Sequence, residues 1–207
     1  MNTCSTSQNT SCWLCGSDTR LVRDVTLPSV PCSGDFAITD SHYGRTGSIY
    51  GCTCCGFLQC HGLDDVLFHY ENLVDHDYEN SRIVRGLQMK QLLKRLSKPR
   101  PGDRLLDVGA GSGILLEEAA IQQEYGSVEG VEPSRWLVQQ ARDRSLIVHE
   151  GVLPHEDIFG LFQTITLVDV LEHVPDPLDL LRQAESLLSP DGEILVITPD
   201  LDSLAAR

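Results

Sequence analysis

Leu105-Leu106-Asp107-Val108-Gly109-Ala110-Gly111-Ser112-Gly113 runs from an apolar stretch into a helical one through three glycines at alternate positions. Such a loop lets the backbone approach a ligand closely and aims the following helix N-terminus at it. Roughly twenty residues further on, Val128-Glu129-Gly130-Val131-Glu132 ends a second apolar stretch with a carboxylate, placed to accept both hydroxyls of a ribose. Together the two segments predict a strand–loop–helix–strand unit that binds an adenosine.

The pattern on either side agrees. Strands are predicted at Arg104–Val108, Ser127–Val131, Leu146–Val148, Thr164–Asp169 and Glu193–Thr198, with helices over Ile114 to about Glu124, Ser134–Arg144 and Pro177–Leu188. Short strands alternating with helices imply right-handed crossovers, hence an α/β, Rossmann-like doubly wound parallel sheet covered on both faces. Upstream, Ile83, Val84, Leu87, Met89, Leu92, Leu93 and Leu96 recur at helical spacing and predict one amphipathic helix over Asn80–Leu96, stopped by Pro99-Arg100-Pro101-Gly102. The predicted organisation is a small module over residues 1–62, a connecting segment and helix over 63–101, and the ligand-binding core over 102–207.

Two cofactor classes use this geometry, and charge separates them. A dinucleotide fingerprint would read G-x-G-x-x-G, but the position three after Gly111 is Ile114. Asp107, two before the first glycine, would repel a pyrophosphate and suit an ammonium group. The pattern D-x-G-x-G-x-G resembles motif I of class I S-adenosylmethionine-dependent methyltransferases. Glu132-Pro133-Ser134, Thr166 to Val174 and Leu188 to Ile197 resemble the family's later motifs, in order and at family spacing. The resemblance implies a methyltransferase that acts on a small molecule, a sugar or other secondary metabolite being the family's suggestion. An NAD-dependent oxidoreductase and a non-catalytic cofactor-binding fragment are the alternatives. It further implies that Asp107 and Gly109 hold the methionine end of S-adenosylmethionine and that Gly111 and Gly113 give it close approach. Glu132, with Pro133 and Ser134, takes the ribose, Val152 and Leu153 flank the adenine, and Asp169 and Val170 border the cofactor.

Methyl transfer from a sulfonium is an in-line displacement, so a base is needed only where the nucleophile carries a proton. His173 follows the fourth strand, at the sheet end that borders a ligand crevice, and is the candidate base; equally, Glu172 and His173 could shape the loop before Pro175. Tyr70 and Tyr78 lie where the family carries an aromatic residue that covers the cofactor, and an aromatic face attracts a sulfonium.

All eight cysteines lie between Cys4 and Cys60. Cys12-Trp13-Leu14-Cys15-Gly16 and Cys52-Thr53-Cys54-Cys55-Gly56 are two C-x-x-C-G knuckles able to supply four thiolates to a structural Zn²⁺ through Cys12, Cys15, Cys52 and Cys55. Cys54 is an alternative ligand, and Cys4, Cys32 and Cys60 are left as free thiols. Cys52 to Gln59 resembles the second knuckle of the zinc-binding module that precedes the methyltransferase domain in sugar C-methyltransferases.

The 207 residues are 41% hydrophobic and carry a formal charge of −14, which disfavours nucleic acid and anionic membrane as partners and leaves a small molecule or a protein. A polar start and the lack of a long apolar run predict a soluble, cytoplasmic chain. The sequence stops nine residues after Thr198, so the resemblance implies that the last two of seven strands are missing; Glu193–Thr198 is then predicted to be an exposed edge that invites self-association.

Overall fold

A computed structural model describes residues 10–37, 46–62, 66–122 and 125–199. Cys4, His42, Glu124 and the end from Asp200 to Arg207 lie outside the described residues. Strand β4 (Arg104–Val108) occupies the centre of a five-stranded sheet, flanked on one side by β5 (Ser127–Glu132) and β6 (Ile147–Glu150) and on the other by β7 (Phe162–Val168) and β8 (Leu188–Ile197). Every pair is parallel. The chain winds outward from β4 one way and then the other, so the order reverses between β4 and β7 and leaves a crevice at their carboxyl ends. The doubly wound sheet expected from the alternating pattern is the one observed.

Helices α4 (Ile114–Gln122) and α5 (Arg135–Arg142) follow β4 and β5, and α6 (Pro177–Ser186) precedes β8. They make two apolar layers. Leu105, Leu115, Leu116, Ala119, Val138 and Ala141 form one; Leu106, Val108, Val131, Phe162, Ile165 and Leu167 form the other. Ser134 caps α5 by accepting from the Leu137 amide, and Asp176 caps α6 by accepting from that of Asp179, which is why both helices start where they do. Strand β8 begins earlier than the apolar pattern indicated, because Leu188 already pairs with Phe162 before the register shifts and Glu193 resumes beside Thr164.

The helix predicted over Asn80–Leu96 is two: α2 (His76–Asn80) and α3 (Arg82–Leu93), after a short α1 (Val66–Glu71). The buried stripe of α3 also differs. Ile83, Val84 and Leu87 are 82%, 62% and 61% exposed, while Gly86 and Leu93 are buried and Met89 packs on the core. The reason is the pairing with α4: Gly86 admits the Glu118 side chain closely, and Arg82 on the same stripe is bound to Glu117 and Ser112. An ion-paired arginine and a glycine thus set the rotation that apolar spacing alone assigned otherwise. Among the described residues no helix is long and apolar enough to cross a membrane.

The N-terminal module is a three-stranded antiparallel sheet, β1 (Thr19–Arg23), β2 (Ser48–Cys52) and β3 (Leu58–His61), with a short 3-10 turn at Ser33–Phe36. Its interior is small, limited to residues such as Cys12, Ile49, Cys52 and Gln59. Gln59 accepts from the Trp13 amide at 2.9 Å and donates to the Ser11 carbonyl at 3.0 Å, tying the two knuckles together.

Candidate functional site

The crevice at the carboxyl ends of β4, β5 and β7 opens into a cavity of about 820 Å³. Its floor is the glycine loop. Gly109 and Ala110 both donate to the Val131 carbonyl, at 2.9 and 3.0 Å, which folds the loop over the end of β5. Gly109 and Gly111 have φ of +73° and +54°, and a Cβ on them would stand 2.5 Å from Val170 Cγ2 and 2.8 Å from the Tyr78 hydroxyl. Glycine is therefore required at both positions. Gly113 faces away from the cavity, its α-carbon packed against Leu146 and Ala141, so its part is to seat α4 on α5.

Two buried carboxylates face the cavity. Asp107 lies beside Thr166 in the β4–β7 register and accepts from its hydroxyl at 2.6 Å. Glu132, at the end of β5, accepts from the Gly111 amide at 2.9 Å and the Ser134 amide at 2.8 Å. Each of its oxygens retains a lone pair, as a vicinal diol would need. Burial raises Asp107 from 3.8 to about 7 and Glu132 from 4.5 to about 7, the Glu132 charge adding to the effect on Asp107. Among the described residues neither carboxylate is ion-paired. A pocket holding two such groups is complementary to a ligand that brings a cation and hydroxyl donors. Ser134 points away, capping α5 and donating to the Leu73 carbonyl at 2.9 Å, whereas Pro133, Val152, Leu153, Asp169 and Val170 line the cavity.

The connecting segment closes over the loop. Tyr78 stands above Gly111 with Arg85 4.6 Å from its ring centroid, and burial holds its hydroxyl protonated well above the ordinary range. Arg82 donates to both the carbonyl and the hydroxyl of Ser112 at 2.8 Å, and pairs with Glu117 at 2.6 Å and Glu79 at 3.0 Å. These contacts pin α2 and α3 to the glycine loop.

Glu172 and His173, on a 3-10 turn after β7, also line the cavity. The His173 imidazole meets the Tyr70 ring edge to face at 5.6 Å, and its Nε2 is 3.9 Å from Glu172 Oε1. Burial lowers His173 to about 4 and raises Glu172. The imidazole is thus neutral near pH 7, and the same burial makes it a weaker base than a free imidazole unless a nearby carboxylate such as Glu172 pairs with the cation. Asp169 holds a left-handed φ of +55°, a conformation that costs energy for a non-glycine residue and turns the chain sharply off β7 toward this site. Phe36, from the N-terminal module, lines the cavity too, its ring edge-on to Tyr70 with centroids 5.7 Å apart.

Phe36, Arg82 and Arg85 carried no signal in the sequence pattern, since their positions depend on tertiary contacts. Thr166 did carry one: a hydroxyl in a buried strand marks a polar partner close by, here Asp107 on the next strand.

In the module, Cys12 and Cys55 sulfurs are 3.7 Å apart and those of Cys15 and Cys52 are 3.5 Å apart, and the four lie within 4.8 Å of one another. Zn–S bonds of about 2.3 Å in a tetrahedron require sulfurs about 3.8 Å apart, so the set fits zinc. Cys54 is exposed and outside the cluster; its amide and that of Cys55 both donate to the Cys52 sulfur at 3.3 Å. Cys32 and Cys60 also stand apart from it.

A methyltransferase domain family matches residues 81–207. The ubiquinone biosynthesis O-methyltransferase of Xanthomonas campestris is 38% identical over 106 residues, 47% of this chain and 44% of that protein. The mitochondrial enzyme of the same name from Saccharomyces cerevisiae is 32% identical over 138 residues, 63% of this chain and 43% of that protein. The chain thus spans less than half the length of these relatives. Among solved structures, the plantazolicin methyltransferase BpumL, in complex with a pentazolic desmethylPZN analogue and S-adenosylhomocysteine, shares the fold with a TM-score of 0.50 at 18% identity, over 63% of this chain and 54% of that one. The matched family segment is more than half of the chain and contains the glycine loop, Glu132 and the end of β7, and the chain belongs to the class I methyltransferase domain family.

Proposed function

We propose that this chain binds S-adenosylmethionine in the cavity and transfers its methyl group to a small molecule. The observation that carries the reading is the pair of buried, unpaired carboxylates above the glycine loop, one suited to an ammonium and one to a ribose. When bound, the sulfonium supplies an electrophilic methyl carbon. Asp107 would take the ammonium and be ionised by it, and Glu132, oriented by two amides, would accept from the ribose hydroxyls. Val152 and Leu153 would flank the adenine. Tyr78 and Tyr70 would wall off water and present aromatic faces to the positive sulfur.

An oxygen nucleophile is the acceptor class we favour, supported by the neutral imidazole at the acceptor end and by the O-methyltransferase names of the relatives. His173 would accept the hydroxyl proton at its imidazole, and Glu172 would stabilise the imidazolium that forms. Zinc held by Cys12, Cys15, Cys52 and Cys55 would be structural, since four thiolates leave no open position.

The test is production of S-adenosylhomocysteine from S-adenosylmethionine with a panel of phenols, catechols and deoxysugars. Turnover with a hydroxylated acceptor that is lost in His173→Ala supports the reading. Cofactor binding with turnover only on amines would contradict the oxygen assignment.

A further inference from the structure

A second cluster of metal-binding side chains lies on the edge strand β6 and the turn after it, outside the cavity chemistry. One ligand atom each from His149, His155 and Asp157 falls within a sphere of mutual separations below 4.8 Å. The two imidazoles have ring centroids 5.3 Å apart.

Their hydrogen bonds fix their tautomers. His149 Nε2 lies 3.2 Å from Glu129 Oε2, a carboxylate held in place by Arg104 at 2.6 Å. His155 Nε2 lies 3.1 Å from the Glu150 carbonyl oxygen. Both partners accept, so both Nε2 atoms donate, and in the neutral imidazole the lone pair is then on Nδ1. His155 Nδ1 spends its lone pair on the Asp157 amide at 3.2 Å, a long bond that a stronger Lewis acid can replace. A histidine that donates its far nitrogen to an anchored carboxylate is the arrangement by which proteins orient a metal-ligating imidazole.

We propose that His149, His155 and Asp157 form a second site, for a borderline divalent ion, with Zn²⁺ as its ligand. Two imidazole nitrogens and one carboxylate oxygen at about 2.0–2.2 Å, with water in the fourth position, match that ion. The donors all lie within 4.8 Å of one another, and the exposed Asp157 and the half-buried His155 leave room for them to close on an ion. Ligation ties the two ends of the Gly151–Asp157 turn to β6. Because Gly151, Val152 and Leu153 line the cavity, zinc here stiffens one of its walls.

The experiment is titration of the full chain, carrying the zinc it retains on purification, with Co²⁺ followed by visible spectroscopy, and then with Zn²⁺ followed by metal analysis after gel filtration. Thiolate sites give intense sulfur-to-cobalt charge transfer, whereas a nitrogen and oxygen site gives weak d–d bands alone. We expect one equivalent of the second kind, abolished in His155→Ala and His149→Ala and weakened about tenfold in Glu129→Gln. Asp157→Asn, at an exposed position, provides a variant that keeps the fold if a histidine variant does not. Cobalt that enters only sulfur sites, or binding equal in wild type and Asp157→Asn, would overturn the proposal.

Discussion

Replacing Asp107 by Asn should make the ligand-free protein more stable and its cofactor affinity worse. Raising the carboxyl from 3.8 to about 7 makes ionisation in the buried cavity cost about 4 kcal/mol. The sign follows from the direction of the shift. A group whose folded value is raised contributes full stability below about pH 4 and loses it as the pH rises through about 7. At pH 8 the wild type therefore carries the whole cost, whereas Asn cannot ionise and still accepts from the Thr166 hydroxyl. The variant should gain between about 1 and 4 kcal/mol at pH 8, several degrees in melting temperature for a domain of this size, and under about 2 kcal/mol at pH 5. The same change removes the anion that faces the ligand ammonium, so S-adenosylhomocysteine should bind about ten- to a hundredfold more weakly. Thermal denaturation at both pH values and calorimetry give the two numbers independently. An Asn variant that melts below wild type at pH 8 and binds S-adenosylhomocysteine equally well would show that Asp107 neither costs the free protein stability nor meets the ligand.

Arg82→Ala strands two glutamates and frees the glycine loop, so it should weaken S-adenosylhomocysteine binding by roughly 1–3 kcal/mol, while Arg104→Ala, which breaks an ion pair at the opposite end of β4, should lower the melting temperature and leave that affinity unchanged. Burial lowers His173 to about 4, so its neutral form supports the fold above about pH 6.5 and that support is lost as the pH falls toward 4; acid unfolding of His173→Gln should be correspondingly shallower over that range. Chelation, or Cys15→Ser, should expose the module over residues 10–62 to hydrogen exchange and leave the five-stranded sheet protected, because small modules of this kind fold on their metal.

The doubly wound parallel sheet and the positions of Asp107, Glu132 and the two cysteine pairs were legible because each is written locally, in alternation, in glycine spacing or in paired thiols. What was not legible depends on contacts between distant segments. Nothing near Arg82 announces that it will grip Ser112 rather than face water, and the stripe Ile83, Val84 and Leu87 satisfies helical spacing as well as the stripe that is buried. Gly113 and Ser134 belong to the motifs that build the site, yet they serve helix packing and capping, roles that spacing does not distinguish from contact with a ligand. Phe36 reaches the part of the cavity beside Tyr70 from a loop between the cysteine pairs, a placement set by how the module sits on α1.

Calorimetric titration of the wild-type chain with S-adenosylhomocysteine and, separately, with NAD⁺ decides whether the paired carboxylates and the glycine loop form a site for S-adenosylmethionine. Saturable binding of S-adenosylhomocysteine at one per chain is expected, lost or strongly weakened in Glu132→Ala, with no heat from NAD⁺. Saturable binding of NAD⁺ with none of S-adenosylhomocysteine would contradict it.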